Sequence, residues 1–176
     1  MSTVPSAIRV GQGFDVHPFS IDPGRPLVLG GVVVREGSGL AGHSDADVVS
    51  HALADALLGA AGLGDIGTHF PADTTTWEGA SSIGILERVV EMTASSGLET
   101  MNADCTVVCD SPRLAPHLDK MSSILSEVVS APVSVKAKRA EGLGSIGRVE
   151  GIACLAVALL CSPDLLQTFI NRSGQG

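Results

Sequence analysis

Asp15 and His17 close an alternating apolar stretch and are separated by one residue, so both project from the same face of a strand. A carboxylate and an imidazole side by side can chelate one divalent ion, although an Asp-x-His pair also serves simply to stabilise a turn. A second cluster, Gly42-His43-Ser44-Asp45-Ala46-Asp47, opens a helical pattern that carries His51 and Asp55. Asp47, His51 and Asp55 stand four residues apart and share one stripe, which reads as a polar helix face with internal ion pairs or as a ligand face. In the second case Asp15, His17 and His51 form an Asp-His-His zinc site with its fourth position open, the arrangement of a catalytic metal.

Two further segments suit phosphorylated or hydroxylated ligands. In Leu63-Gly64-Asp65-Ile66-Gly67-Thr68-His69-Phe70-Pro71, glycines flank a carboxylate that could bind the vicinal hydroxyls of a ribose or could cap a tight turn. Lys136, Lys138, Arg139 and Arg148 gather around a Gly-rich run in which Gly142, Gly144 and Gly147 spell G-x-G-x-x-G. A dinucleotide fold is excluded, because too few residues follow Asp164 to supply its remaining strands and helices. What remains is a phosphate cradle with Glu141 able to hold Mg²⁺. Arg148 and Glu150 alternate on one strand face and could equally form a structural ion pair.

The elements that must position these groups follow from periodicity. Ile8 to His17 and Leu27 to Val33 read as strands. Ser44 or Asp45 offers an N-cap for a helix running to about Ala61, stopped by Gly62 and Gly64. A loop from Asp65 to Gly79 leads to a helix over Ser81 to Ser96, then a strand over Met101 to Cys109. Pro116 to Ser130 is a helix, Val133 to Lys138 a strand, and Arg148 to Cys161 a long buried strand. The order is ββααβαββ, which predicts an α+β sandwich with helices on one side of a sheet. No repeat, low-complexity tract or linker interrupts residues 1–176, so one domain is expected, with its core over about residues 8–161.

Composition narrows the class. Aromatics are only 3% of the 176 residues, with no Tyr and one Trp, so the core is built from Val, Leu, Ile and Ala. Such side chains bury little area each, and a share of the stability is expected from subunit contacts. The net charge of −8 disfavours nucleic acid and anionic membranes as partners. The four cysteines, Cys105, Cys109, Cys154 and Cys161, sit in apolar runs without zinc or redox spacing and read as small buried hydrophobes. No signal pattern precedes Ile8, and Ile152 to Cys161 is half a membrane span. The expected location is the cytoplasm.

In order, the motifs resemble one family. G-x-G-F-D-V-H at 11–17, L-x-L-G-G-V at 27–32, H-S-D-x-D-V at 43–48 and H-A-L-x-D-A-L-L-G-A at 51–60 are joined by L-G-D-I-G at 63–67, S-P-x-L-x-P-H at 111–117 and G-R-x-E-G-I-A at 147–153. These are similar to the 2-C-methyl-D-erythritol 2,4-cyclodiphosphate synthases. The resemblance implies a four-stranded mixed sheet with helices on one face plus a small hairpin, assembled as a homotrimer about a threefold axis with active sites between subunits. It implies zinc or another divalent ion on Asp15, His17 and His51, and Mg²⁺ or Mn²⁺ on Glu141. The substrate site it implies includes Asp15, Val16 and His17, then His43 and Ser44, with His43 as a transition-state stabiliser. Asp65, Ile66 and Gly67 would hold the ribose or erythritol portion, helped by Phe70, Pro71, Ala72, Asp73 and Thr74. Cys109, Asp110, Ser111, Pro112, Arg113, Leu114 and Ala115 would line the cytidine pocket. Lys138, Arg139, Ala140 and Glu141 would flank the diphosphate, with Ser145, Arg148 and Glu150 towards the axis.

The family reaction is an intramolecular attack of a 2-phosphate on the β-phosphorus of a cytidine diphosphate-linked substrate, with CMP leaving. No side chain acts as nucleophile, in keeping with the absence of a Ser-His-Asp pattern. Several positions depart from the family. Lys138 and Arg139 stand where two threonines are common, the second being the position expected to stabilise the transition state. Ala72 stands for a frequent Asp, Ser145 for a usual Phe and Val149 for a usual Gly.

Overall fold

In the computed structural model, which describes residues 8–42, 44–71 and 81–165, a four-stranded sheet carries three helices on one face. The strands β1 (Arg9–Pro18), β4 (Glu99–Val108), β5 (Val133–Lys138) and β6 (Gly151–Cys161) lie in the order β1-β6-β4-β5. β6 runs antiparallel to both neighbours, whereas β4 and β5 are parallel and joined by α4 (Leu118–Val129). The α+β class and the mixed sheet are therefore as expected.

Alternation divides the sheet into two faces. On the inner face, α1 (Val48–Ala61) crosses β1, β6 and β4, α3 (Ser82–Ser95) packs on α1, and α4 covers β5. Leu53, Leu57, Leu86, Met121, Leu125, Ile152 and Leu160 are fully buried between these layers. Each contributes roughly 1.5–3 kcal/mol by leaving water. On the outer face, Val10, Phe14 and Val16 of β1 and Leu155 and Val157 of β6 remain exposed, Val10 at 67%.

The approach of α1 to β1 depends on two residues without side chains. A Cβ at Gly13 would lie 1.8 Å from the Ala52 carbonyl oxygen, and one at Gly11 would lie 1.9 Å from that of Ala56. The helix backbone thus rests directly on the strand backbone, a separation no other residue type permits.

Most boundaries agree within two residues, and three features differ from the sequence reading. The segment read as one strand over Leu27 to Val33 is a hairpin, β2 (Leu27–Leu29) and β3 (Val32–Arg35), turning at Gly30 and Gly31 with φ of 55° and 73°. An unbroken apolar run concealed the Gly-Gly turn, although the small hairpin implied by the family resemblance is present. The cap of α1 is Asp47 rather than Ser44 or Asp45, because Ala46 adopts a left-handed φ of 56° and delays the helix. The last strand begins at Gly151, not Arg148. Ahead of it come the short helix α5 (Gly144–Gly147) and Val149 at φ 61°, a conformation that burdens a β-branched side chain. A further short helix, α2 (Ile66–His69), lies within the expected loop.

Asp47 ties several of these pieces together. It is fully buried, and its Oδ1 accepts the N–H groups of Gly30 at 2.8 Å, Val49 at 3.0 Å and Ser50 at 3.2 Å. Its Oδ2 accepts the Gly31 N–H at 2.8 Å and the Ser50 hydroxyl at 2.7 Å. One carboxylate therefore caps α1 and fixes the β2–β3 turn.

Gly13→Ala is expected to lower stability by about 3 kcal/mol, since helix and strand backbones must separate. Gly59→Ala, on the same helix with only the Gln12 carbonyl at 3.7 Å, is expected to raise it by about 0.5–1 kcal/mol. Denaturant midpoints of the two variants should move in opposite directions.

Candidate functional site

The inner face of β1 carries Gly11, Gly13, Asp15 and His17 in sequence, so the surface that seats α1 runs on into two potential ligands. With α1 seated, His51 on its first turns reaches Asp15. Asp15 Oδ2 lies 3.1 Å from His17 Nε2 and 3.0 Å from His51 Nδ1. One ligand atom from each of the three residues falls within 4.8 Å of the others. The side chains are 20%, 22% and 9% exposed in the order Asp15, His17, His51, so the cluster is sheltered yet open on one side.

The donor set fits a cation. The opposite nitrogen of His17, Nδ1, lies 2.7 Å from the Ala41 carbonyl, which can only accept, so Nδ1 carries a proton. In the neutral ring, Nε2 then directs a lone pair at the Asp15 carboxylate. Two acceptors facing each other at this distance require a proton or a metal between them. Without a metal the proton fills the gap, and the Asp15 carboxylate beside His17 raises the imidazole above its ordinary value. Burial pushes the Asp15 carboxyl up, but hydrogen bonds from His17 and His51 outweigh it and hold it well below the usual carboxylate range. The signs follow from linkage. The His17 contribution to metal-free stability is complete below the ordinary histidine value and is lost as pH rises through the raised one. That of Asp15 is complete above the ordinary carboxylate value and is lost as pH falls.

The remaining acidic residues of the α1 stripe are structural. Asp47 is the buried cap described above. Asp55, whose carboxyl burial raises, accepts the Ile66 N–H at 2.8 Å and anchors the start of α2. Asp65 caps α2, its Oδ1 accepting the Thr68 N–H and hydroxyl, both at 2.8 Å, so the capped-turn reading is realised. Val16 lies between the two ligands but projects to the outer face. Ser44 Oγ is 3.2 Å from His51 Nε2. Half-buried Phe70 and Pro71 follow α2. His43, Ala72, Asp73 and Thr74 lie outside the described residues.

At the same end of the sheet, the loop after β4 and the end of β5 enclose a cavity of about 380 Å³. Its wall comprises Cys109, Asp110 and Pro112 to Ala115 on one side and Ala137, Lys138 and Arg139 on the other. Ser111 is joined to Pro112 by a cis peptide. Arg139 Nε donates to Asp110 Oδ1 at 3.0 Å, linking the walls, and the Asp110 side chain is only 5% exposed. Ala140 is half-buried, and Glu141 is exposed with a left-handed φ of 53°. Glu141 joins no metal-ligating cluster among the described residues. Ser145 is exposed on α5, and Arg148 Nε donates to Glu150 Oε1 at 2.6 Å, the ion-pair alternative of the sequence reading.

The sequence reading missed Arg25 and Ser82. Arg25 Nη2 donates to the Ser44 carbonyl, and its guanidinium acts electrostatically on His17 of the candidate cluster. Ser82 Oγ lies 2.8 Å from His51 Nε2. Neither has a periodic or motif signal, because each acts across a long stretch of chain.

The profile of the YgbB family matches residues 8–161. The chain belongs to the YgbB family. The 2-C-methyl-D-erythritol 2,4-cyclodiphosphate synthase of Symbiobacterium thermophilum is 51% identical over 154 residues, which cover 86% of this chain and 97% of that protein. That of Salinibacter ruber is 49% identical over 158 residues, covering 88% and 99%. The bifunctional IspDF of Campylobacter jejuni superimposes with a TM-score of 0.84 at 40% identity over 89% of this chain, which spans 42% of that longer protein. A CDP complex of IspF from Plasmodium falciparum gives 0.77 at 31% identity, covering 90% and 98%. This YgbB chain thus shares both its fold and the full extent of its core with 2-C-methyl-D-erythritol 2,4-cyclodiphosphate synthases.

Within the cavity of this YgbB chain, Cys109 has its thiol pushed up to about 11 by burial, and its Sγ donates to the Pro112 carbonyl at 3.6 Å. At pH 8 only about one thiol in a thousand is then ionised. Iodoacetamide at pH 8 is expected to leave Cys109 unmodified in the folded protein and to alkylate it after denaturation, as read by peptide mass spectrometry.

Proposed function

We propose that this chain is a 2-C-methyl-D-erythritol 2,4-cyclodiphosphate synthase of non-mevalonate isoprenoid precursor biosynthesis, a phosphorus–oxygen lyase acting in the cytoplasm. The substrate is 4-diphosphocytidyl-2-C-methyl-D-erythritol 2-phosphate. Its 2-phosphate oxygen bonds to the β-phosphorus, the bond from that phosphorus to the bridging oxygen breaks, and CMP departs with the electron pair. The observation that carries the reading is the Asp15–His17–His51 cluster at the same end of the sheet as the 380 Å³ cavity. The identities of around 50% with curated synthases support the same chemistry.

Nucleophile and target are both anionic, so the task of the protein is to suppress repulsion and hold an in-line geometry. Lys138 and Arg139 at the cavity rim contribute positive charge to the diphosphate. The loop Cys109 to Ala115 receives the cytidine, and Asp65 to Gly67 with Phe70 to Thr74 hold the sugar-like portion. Ser44 would meet the diphosphate from the mouth of α1, and His43 is assigned the stabilisation of the transition state. Zinc or another divalent ion on Asp15, His17 and His51, and Mg²⁺ or Mn²⁺ on Glu141, would supply Lewis-acid charge to phosphate oxygens.

The reading includes a homotrimer with active sites between subunits. Register places His17 opposite Ile152 and Val108 opposite Ala153, with Lys138 beside Val108. The metal cluster and the cavity therefore share an end of the sheet but occupy opposite edges, roughly 14 Å apart across three strand spacings. Association through the apolar outer face of β1 and β6 would bring one subunit's cavity towards a neighbour's metal cluster while covering Val10, Phe14, Val16, Leu155 and Val157.

With substrate, zinc and Mg²⁺, ³¹P NMR is expected to show a cyclic diphosphate and CMP, and His51→Ala to abolish both zinc retention and product. An open-chain phosphate would instead mean that water is the nucleophile, and no product from a metallated trimer would leave a binding protein. Arg139→Ala is expected to lower kcat about 10- to 100-fold if its charge is used in the transition state. An unchanged kcat would remove it from catalysis.

A further inference from the structure

We infer that Asp45 and Ser82 are positioning residues that act through His51, fixing its proton on Nε2 so that the lone pair of Nδ1 is presented to the metal. The inference rests on the metal reading above and concerns residues to which that reading gives no role.

The deduction is an inventory of donors and acceptors. The Asp45 carboxylate receives three donors. Its Oδ1 accepts from the Ser82 hydroxyl in a short hydrogen bond and from the Asp47 N–H at 3.3 Å. Its Oδ2 accepts from the Ser82 N–H at 3.1 Å. A serine hydroxyl has one proton, and an ionised carboxylate can only accept, so the Ser82 proton is committed to Asp45. Ser82 Oγ then offers only lone pairs to His51 Nε2, 2.8 Å away. Ser44 Oγ, 3.2 Å from the same nitrogen, accepts the Ala46 N–H at 3.1 Å and gives its own proton to Ser82 Oγ, 3.3 Å away, whose proton is already committed. A lone pair on Nε2 would face the lone pairs of Ser82, a repulsive contact inside a buried site where Ser82 is only 1% exposed. With the proton on Nε2 and a cation between Nδ1 and Asp15, every group in the chain Asp45–Ser82–His51 is satisfied. Nδ1 is left as an acceptor, 3.0 Å from Asp15 Oδ2.

The other metal-site histidine is held in the complementary way. His17 is locked through Nδ1 by the Ala41 carbonyl and points Nε2 inward, whereas His51 is locked through Nε2 and points Nδ1 inward. Only one of the two locks is backbone. The His51 lock consists of side chains, and Ser82, 31 residues from His51, opens α3, so the seating of that helix and the ligand orientation are one arrangement. Outer partners of this kind typically contribute 10- to 100-fold to metal affinity.

The test uses the full chain in its zinc-loaded state. Long-range ¹H–¹⁵N correlation should show His51 protonated at Nε2. A ring protonated at Nδ1 overturns the proposal whatever the variants do. By chelator competition, Ser82→Ala should bind zinc 10- to 100-fold more weakly while keeping its helical circular dichroism. Asp45→Asn should be weakened as well, but should add less than twofold in the Ser82→Ala background, because both act through one hydrogen-bond chain. Wild-type affinity in Ser82→Ala, or fully additive losses, would overturn the relay while leaving the metal reading intact. A wild-type protein that binds no divalent ion would remove the metal reading and the relay with it.

Discussion

The contact between the backbones of β1 and α1 governs the molecule. Gly11 and Gly13 remove the side chains that would hold an α-helix at its usual distance from a sheet, and the carbonyls of Ala52 and Ala56 occupy the space. The apolar side chains of α1 then fill the depth of the layer, and His51 is carried close enough to meet ligands that a strand can place only at its own surface. The two glycines thus shape the candidate metal site, although neither has a side chain that could bind anything.

A second constraint is electrostatic. The site gathers two imidazoles and a carboxylate where solvent is scarce, and each must have its remaining polar atoms satisfied by the protein. The Ala41 carbonyl does this for His17, and hydroxyls do it for His51. Asp47 performs the same service for the backbone, collecting orphan N–H groups from a helix start and a glycine turn. The surroundings of the candidate metal are therefore prepared by residues that never touch it.

The sequence carried the ligand triad because alternation on a strand and spacing on a helix are local properties, and Asp15, His17 and His51 obey them. β5 was legible to the residue for the same reason. The β2–β3 turn was not, because Gly30 and Gly31 sit inside a run of apolar residues and resemble a buried strand. Asp47 and Asp55 shared the stripe of His51 and looked like ligands, yet one is a cap and the other an anchor for Ile66. Spacing shows which residues share a face but not what stands opposite that face. Arg25 and Ser82 had no local signature at all, and Asp45 read as a helix cap, since their partners are brought in by tertiary packing. The cavity wall at Cys109 to Ala115 and Lys138 to Arg139 was anticipated only through the family resemblance, because a loop and a strand end meet there without periodicity.

Asp47 also bears on how loss-of-function data should be interpreted. Its carboxylate stands four residues from His51 in an acid-rich motif, and a substitution would release the hairpin turn and the head of α1 together. An inactive Asp47 variant would resemble a catalytic knockout in any assay that reads turnover alone, and strict invariance among relatives would reinforce the error. Genetics would then mark as chemical a residue whose work is architectural.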